Sequence, residues 1–240
     1  MMNRQRTYLF FLPIFLITIF LAGCKGKSPA AGPTKMVAER KEVVTDHSKA
    51  DMVIDYDTSQ WLEITTPNSG ILLDIRYATA NNFTEQVIYD CPRCFLRPEI
   101  ARKLIALNKG IEERYNLKLK VFDCYRPRPA QQKLWDIVPD ARYVTPPEKG
   151  SMHNRGMAVD ITLTDYRGNE LDMGTPYDFF GWEAHKEQQD LPGDVLRNRG
   201  ILQAMMTEIG FRTIRTEWWH FSYTGDTWDL SSWEWECKKK

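Results

Sequence analysis

Two short segments of the chain carry side chains that together could bind a metal ion. His153 and Asp160 flank Gly156 in SMHNRGMAVDITL, and Glu217 and His220 follow much later in TEWWHF. Two imidazoles and one carboxylate suit a catalytic zinc, which commonly takes three protein ligands and keeps a fourth position for water. Glu217 would then be free to take a proton from that water. The residue types are therefore compatible with a hydrolytic metal centre, without establishing one.

Each of these residues also has an ordinary structural interpretation. A single histidine is more often a surface or satisfied core residue, and an aspartate in an alternating strand often marks only its wet face. The spacing of Glu217 and His220 adds a difficulty, because residues an odd number apart point to opposite faces of a regular strand. For both to reach one metal ion, the chain must bend or bulge near Trp218.

The surrounding sequence predicts the elements that would position these residues. Alternating or apolar patterns predict strands at 72–77, 118–125 and 158–163, and a final hairpin built from FRTI and WWHFSY. Helices are predicted from Pro98, over PAQQKLWDIV, and between a capping Asp194 and a terminating Gly210. Because helices and strands do not alternate regularly, we expect a single α+β domain with a largely antiparallel central sheet flanked by helices.

Composition narrows the possible partners. Of the 240 residues, 42% are hydrophobic, which is enough for one sizeable core. Lys and Arg together number 32, as do Asp and Glu, so the formal charge is zero. Without a basic surplus or a Lys/Arg stripe interleaved with aromatic residues, nucleic acid is not an expected partner.

The N-terminus has the pattern of an export signal. Arg4 and Arg6 precede an apolar run over 8–20, and LAGC ends at Cys24. LAGC resembles the lipobox of bacterial lipoproteins, which implies cleavage before Cys24 and lipidation of that residue. The predicted organisation is then a signal peptide over 1–23, a lipidated cysteine and flexible tether over 24–58, and the folded domain over 59–240. A plain signal peptide with a chance cysteine is the alternative.

Export places the remaining cysteines in an oxidising compartment. Cys91, Cys94, Cys124 and Cys237 allow three disulfide pairings, and the sequence does not choose among them. The Cys91-Pro-Arg-Cys94 pair could also serve redox chemistry or half of a zinc knuckle. It lacks a thioredoxin-like strand and helix, and no second close pair completes a four-thiolate site. Structural disulfides or inert thiols are therefore favoured.

Several motifs in order resemble one family. SMHNRGMAVD resembles the S-x-H-x-x-G-x-A-x-D motif, and EWWH the E-x-W-H motif, of the zinc D-alanyl-D-alanine peptidases. IRYATANNF, FDCYRPRPAQ, MGTPYDF and NRGIL make the chain more similar to the dipeptidase branch, which includes the dipeptidases of vancomycin resistance. The resemblance runs from about residue 71 to 223. Cys91, Cys94 and the tail through Trp235 to Cys237 are not carried over as parts of the pattern.

The resemblance implies a role for each matching residue. His153, Asp160 and His220 match the ligands of one zinc ion per chain. Glu217 matches the base that activates water and passes its proton to the leaving amine. Arg126 matches the arginine that stabilises the tetrahedral oxyanion, work that suits a permanently charged guanidinium.

The resemblance also implies where substrate is held. Asp178 matches an acidic residue that meets the substrate's ammonium group, and Ser151, two residues before a ligand histidine, could touch substrate. A serine that turns a loop explains Ser151 nearly as well. The remaining arginines of note receive no role and are expected at the solvated surface: Arg76, Arg93 and Arg128.

The implied activity is hydrolysis of the small dipeptide D-alanyl-D-alanine to two D-alanines. An enzyme anchored outside the cytoplasm through Cys24, on the periplasmic or cell-surface side of a bacterial membrane, cannot drain the intracellular dipeptide pool. Salvage during cell-wall turnover is therefore the expected role. The alternatives are a D,D-carboxypeptidase that trims peptidoglycan stem peptides and a wall-binding module without catalysis.

Overall fold

A computed structural model describes residues 54–237. Its β-strands, in chain order, are β1 (Leu62–Ile64), β2 (Leu72–Leu73), β3 (Cys94–Leu96), β4 (Leu117–Asp123), β5 (Ala158–Asp165), β6 (Phe211–Thr213) and β7 (His220–Tyr223). Its α-helices are α1 (Thr66–Ser69), α2 (Pro98–Tyr115), α3 (Arg128–Ile137) and α4 (Gly193–Glu208). The predicted signal peptide, Cys24 and most of the predicted tether lie outside the described residues. No helix within 54–237 is long and apolar enough to span a bilayer.

The central sheet has five strands in the order β2-β4-β5-β7-β6. Only β2 and β4 run parallel, and the other neighbours are antiparallel. A second, antiparallel pair joins β1 to β3. The prediction of an α+β fold with a largely antiparallel central sheet is confirmed. Both faces of β5 are buried, so this strand runs through the centre of the core.

The long helix α2 follows the predicted pattern. Ile100, Leu104 and Ile111 are buried on one face, at helical spacing. Each such side chain contributes roughly 2 kcal/mol when it is withdrawn from water. Pro98 occupies the first turn, where its missing N–H costs nothing, and Asn116 ends the helix in the left-handed region.

Several predicted boundaries were wrong. The strand predicted over 118–125 ends at Asp123, and the final strand predicted from Trp218 begins at His220. The strand predicted over 72–77 ends at Leu73, because the chain turns into a 3-10 helix, Arg76–Ala78, which buries Tyr77. Helix α4 begins at Gly193 after Pro192, so Asp194 lies in the first turn and does not cap the helix. An acidic group there still favours the helix, since it faces the unpaired N–H groups.

The strands that carry the candidate site end irregularly. The register between β4 and β5 shifts between Val121 and Asp123. Strand β7 begins only at His220, so Glu217 and Trp218 precede the regular strand. The expected bend near Trp218 is therefore present, and the odd spacing no longer forces Glu217 and His220 apart.

Two disulfides settle the pairing that the sequence left open. Cys91 is bonded to Cys237 and Cys94 to Cys124, so the closely spaced pair is divided between two bridges. The first bridge attaches the end of the described chain to the loop before β3. The second attaches β3 to the residue that follows β4.

Two of the three arginines expected at the solvated surface are mostly covered. The side chain of Arg76 is 14% exposed, bonds Asp74 and lies over the ring of Phe122. The side chain of Arg93 is 16% exposed and pairs with two carboxylates. Their flat guanidinium groups bury against aromatic rings while the N–H groups reach acids, which a short sequence window cannot reveal.

Candidate metal centre

Three of the predicted side chains converge. The register pairs Asp160 on β5 with His220 on β7, and the 3-10 turn His153–Arg155 brings in His153. Asp160 Oδ1 lies 3.0 Å from His220 Nδ1 and 3.3 Å from His153 Nε2, and the two nitrogens are 3.1 Å apart. The three residues are buried and form the candidate metal site among residues 54–237.

In each of the three side chains, the nitrogen or oxygen atom that points away from the cluster has a hydrogen-bond partner. His153 Nδ1 lies 2.7 Å from the carbonyl oxygen of Cys124. Because a carbonyl only accepts, Nδ1 carries the proton and the lone pair of Nε2 faces the cluster. Tyr177 donates to Asp160 Oδ2 at 2.9 Å, and His220 Nε2 lies 2.8 Å from Ser222 Oγ.

This arrangement fits a divalent cation. Ligand atoms about 2.0 to 2.1 Å from a tetrahedral zinc lie about 3.3 Å from one another, close to the observed separations. Lone pairs that face each other repel unless a proton or a metal cation lies between them, and a metal cation can serve all three groups at once. Burial by itself would raise the pKa of Asp160, but His153 and His220 outweigh it and hold that pKa below its ordinary value. Asp160 therefore remains anionic, as a metal ligand would have to be.

Glu217 lies beside the three ligand groups without belonging to them. Its Oε2 is 3.9 Å from His220 Nδ1, and its side chain is 19% exposed. Burial raises the pKa of Glu217 to about 7, while the neighbouring His220 acts in the opposite direction. A carboxyl group with a pKa near neutrality can both accept and release a proton, as a general base requires.

Arg126 is fixed by two side chains. Its Nε and Nη2 donate to Asp123 Oδ2 at 3.0 and 2.8 Å, and its Nη1 donates to Gln131 Oε1 at 3.0 Å. Tyr89 donates to the other oxygen of Asp123 at 2.7 Å. Sequence reasoning missed Asp123 as a positioning residue. The available signal was an acidic residue inside an apolar strand, three positions before an arginine already assigned a role.

Asp178 is the least satisfied group of the site. It has a positive φ of 61°, and its Oδ2 is buried without a hydrogen-bond partner among residues 54–237. Tyr77 donates to Oδ1 at 3.4 Å, a long bond. Burial, followed by the negative charge of Asp160, raises the pKa of Asp178 well above its ordinary value. Such a group is stabilised by a cation that enters the cavity.

Ser151 has a local structural role. Its N–H and Oγ donate to Asn154 Oδ1 at 2.7 and 3.1 Å, which shapes the turn before His153. It also faces the cavity described next, so the two interpretations of this residue are compatible.

One cavity of about 440 Å³ connects the predicted residues. It is lined by every one of them: Arg126, Ser151, His153, Asp160, Asp178, Glu217 and His220. The structure thus brings together side chains that lie up to 94 positions apart in the numbering. Tyr77, from the turn that replaced a predicted strand, also lines it and was not predicted from the sequence.

A buried cluster of two imidazoles and a carboxylate, with a second carboxylate beside it, is typical of hydrolytic metalloenzymes. The family model described as D-ala-D-ala dipeptidase matches residues 58–236. The chain belongs to this family of metallopeptidases.

Curated relatives agree with the family. A D-alanyl-D-alanine dipeptidase of Escherichia coli K12 is 38% identical over 165 residues, which cover 69% of this chain and 85% of the relative. One of Enterococcus faecium is 29% identical over 175 residues, covering 63% and 85%. One of Streptomyces coelicolor is 29% identical over 175 residues, covering 64% and 86%.

Proposed function

We propose that this chain hydrolyses D-alanyl-D-alanine to two D-alanines, with one zinc ion held by His153, Asp160 and His220. The observation that carries the proposal is the close triangle of three ligand atoms beside the separate carboxylate of Glu217. The names of the relatives support the choice of substrate. Nitrogen and oxygen donors in a compact triangle support the choice of zinc over metals that prefer all-oxygen shells.

When bound, zinc supplies a Lewis acid that polarises the scissile carbonyl and acidifies water. Glu217 takes a proton from the attacking water and later delivers it to the amine of the departing D-alanine. Arg126, held rigid by Asp123, places its positive charge where the carbonyl oxygen becomes negative. A fixed donor of this kind needs no reorganisation during the reaction.

Another part of the cavity wall, formed by Asp178 and Tyr77, would bind the substrate's ammonium group. Asp178 offers an unpaired carboxylate oxygen, and Tyr77 holds the other. When an ammonium group enters here, it forms an ion pair with Asp178. That ion pair compensates both groups for the water contacts that they lose. This requirement favours a free dipeptide over a stem peptide, whose corresponding nitrogen is acylated and uncharged.

A dipeptide panel tests the proposal. Purified protein is assayed with D-Ala-D-Ala, L-Ala-L-Ala and N-acetyl-D-Ala-D-Ala, each with and without a chelator. We expect turnover of free D-Ala-D-Ala that is lost on chelation and restored by zinc. Turnover of only the acylated substrate would favour the D,D-carboxypeptidase, and no turnover after zinc loading would favour the wall-binding module.

The proposed location is a bacterial membrane, outside the cytoplasm, with Cys24 as the lipid anchor. The lipobox-like LAGC supports it, as does the oxidised state of all four other cysteines. Intact mass of the mature protein tests it: the wild type should begin at an acylated Cys24, and a Cys24→Ser variant should carry no lipid. An unmodified wild type would remove the anchor and leave the enzyme proposal untouched.

A further inference from the structure

One of the three candidate ligands is supported differently from the other two. Asp160 and His220 lie opposite each other on paired strands in the middle of the sheet. His153 lies on a short 3-10 turn in the connection between α3 and β5. Loop residues are generally freer to move than residues in paired strands. The geometry of His153 therefore depends on contacts outside the sheet.

The turn that carries His153 is interlocked with the residues after β4. The ring of His153 bonds the carbonyl of Cys124, and the N–H of Arg126 donates to the carbonyl of His153 at 3.1 Å. Asn154 Nδ2 donates back to the carbonyl of Arg126 at 2.8 Å. The candidate ligand and the oxyanion-stabilising arginine therefore move together.

Residues 228–237, here called the C-terminal strap, lie against this turn. The N–H of Ser231 donates to the carbonyl of Asn154 at 3.0 Å, and Arg155 Nη1 donates to the carbonyl of Trp228 at 2.8 Å. These bonds clamp two consecutive residues that directly follow His153.

The strap also buttresses the loop that enters the turn. The side chain of Leu230 lies so close to Gly150 that a Cβ there would be 2.4 Å from it. Gly150 has a φ of +67° and lines the catalytic cavity. Leu230 of the strap therefore packs directly on this cavity-lining loop.

The strap also contacts the segment after β4, which is hydrogen-bonded to the turn that carries His153. The hydroxyl of Tyr125 donates to the carbonyl of Trp233. The Trp233 ring stacks on Trp61 with centroids 5.0 Å apart and meets Phe95 edge-on at 4.8 Å. This aromatic group forms a small core of its own, separate from the main one.

A covalent bond closes the strap. The Cys91–Cys237 disulfide joins its end to the loop before β3, across 146 residues of sequence. Arg93 Nη1 donates to the carbonyl of Glu236 at 2.9 Å beside that bridge. The C-terminal end of the strap is therefore fixed by the disulfide, while its middle contacts the segments next to His153.

We infer that the C-terminal strap, locked by the Cys91–Cys237 disulfide, is a positioning element that holds His153 ready to bind the metal ion. The inference rests on the proposed function only in treating His153 as a ligand. Reduction of the disulfide releases the end of the strap and loosens the ligand that the sheet does not hold. Metal retention then depends on an oxidising environment.

The test compares the full chain with a Cys91→Ser/Cys237→Ser variant. Zinc affinity is measured by competition with a chelator, and the shift in melting temperature on adding zinc gives a second readout. We expect the zinc affinity to fall by about tenfold, as for other substitutions of residues that orient a metal ligand. The zinc-induced rise in melting temperature should become smaller. We also expect kcat to fall more than KM changes.

A Met205→Ala variant is the matched control. Met205 packs on the core from α4, next to α2, and does not line the catalytic cavity. Its loss should lower the melting temperature of the metal-free protein without changing zinc affinity. If the serine pair behaves in the same way, with wild-type affinity in a less stable protein, the strap is merely structural and the inference is overturned.

A second variant covers the case in which the serine pair does not fold. Leu230→Ala keeps both disulfides and removes only the side chain that lies against Gly150. Weaker zinc binding there supports the inference, and unchanged binding overturns it. Zinc affinity is read apart from dipeptide hydrolysis. A wild type that binds zinc through His153 but cleaves no dipeptide would therefore reject the proposed function and spare this inference.

Discussion

Two parts of the cavity wall, the candidate metal ligands and Asp178, differ in how completely their polar groups are paired. His153, Asp160 and His220 each have a partner outside the cluster that fixes their orientation. Asp178 keeps a buried oxygen without a partner among residues 54–237 and holds a strained backbone conformation.

This contrast separates two kinds of preparation. The candidate metal site is preorganised, because its three side-chain atoms already stand at the separations that a tetrahedral ion requires. Asp178 is left incompletely paired, and an unpaired buried polar group costs free energy until a partner arrives. Under the proposed function, stability is thus given up where the substrate is recognised.

The largest effect is expected from loss of a candidate metal ligand. His153→Ala removes one of three ligands and the contact with the Cys124 carbonyl, so the protein should lose both bound zinc and all measurable dipeptide hydrolysis. Metal content by atomic emission and steady-state kinetics check this. Stoichiometric zinc in the variant would mean that His153 is not a ligand.

Glu217→Ala should separate metal binding from catalysis. Since Glu217 stands beside the ligands but not among them, the variant should keep its zinc while kcat falls by about 10³. Zinc content and kcat, measured on one preparation of the variant, check this prediction. Equal loss of zinc in the Glu217 and His153 variants would break the distinction between base and ligand.

Asp178→Asn probes the proposed contact with the substrate's ammonium group. Loss of the charge that meets the ammonium group should lower kcat/KM for D-Ala-D-Ala by roughly a hundredfold, with zinc content unchanged. A similar loss on N-acetyl-D-Ala-D-Ala, which has no ammonium group, would contradict the assigned role.

The same substitution should change how stability depends on pH. The folded-state pKa of Asp178 lies above its ordinary value of 3.8, so the wild type binds this proton more tightly when folded and loses stability as pH rises above that value. Metal-free Asp178→Asn should lack this loss. The free-energy difference between the proteins, measured by urea unfolding, should therefore grow with pH; a constant difference would show that Asp178 titrates normally.

The smallest effect is expected from Asp123, the residue that orients Arg126. Asp123→Asn keeps the shape but removes the charge that fixes the guanidinium, so kcat should fall by about tenfold with little change in KM or zinc content. Gln131→Ala, which removes the single bond to Nη1, is the milder comparison. A larger effect from Gln131 than from Asp123 would reverse the assignment of the main anchor.

The sequence was sufficient wherever a motif and a regular element coincided. The His-Asp segment reads as an alternating strand, and the structure places β5 there. The helix that opens at Pro98 was equally clear from its periodic apolar positions. In both cases the local pattern and the tertiary packing require the same conformation.

What the sequence did not disclose depends on contacts between distant segments. Tyr77 enters the cavity because β2 ends early, although LLDIRY alternates as a strand would. The importance of Asp123 becomes visible only when Arg126, Tyr89 and Cys124 surround it. The role proposed for the strap depends on the pairing of Cys91 with Cys237, which belongs to one of the three disulfide arrangements that four cysteines allow.

Anomalous diffraction at the zinc edge, on crystals of the zinc-loaded protein, tests the central claim most directly. The account predicts one ion bonded to His153 Nε2, Asp160 Oδ1 and His220 Nδ1, with Glu217 outside the coordination shell. An ion bound by Glu217 in place of Asp160, or bound elsewhere in the molecule, would contradict it.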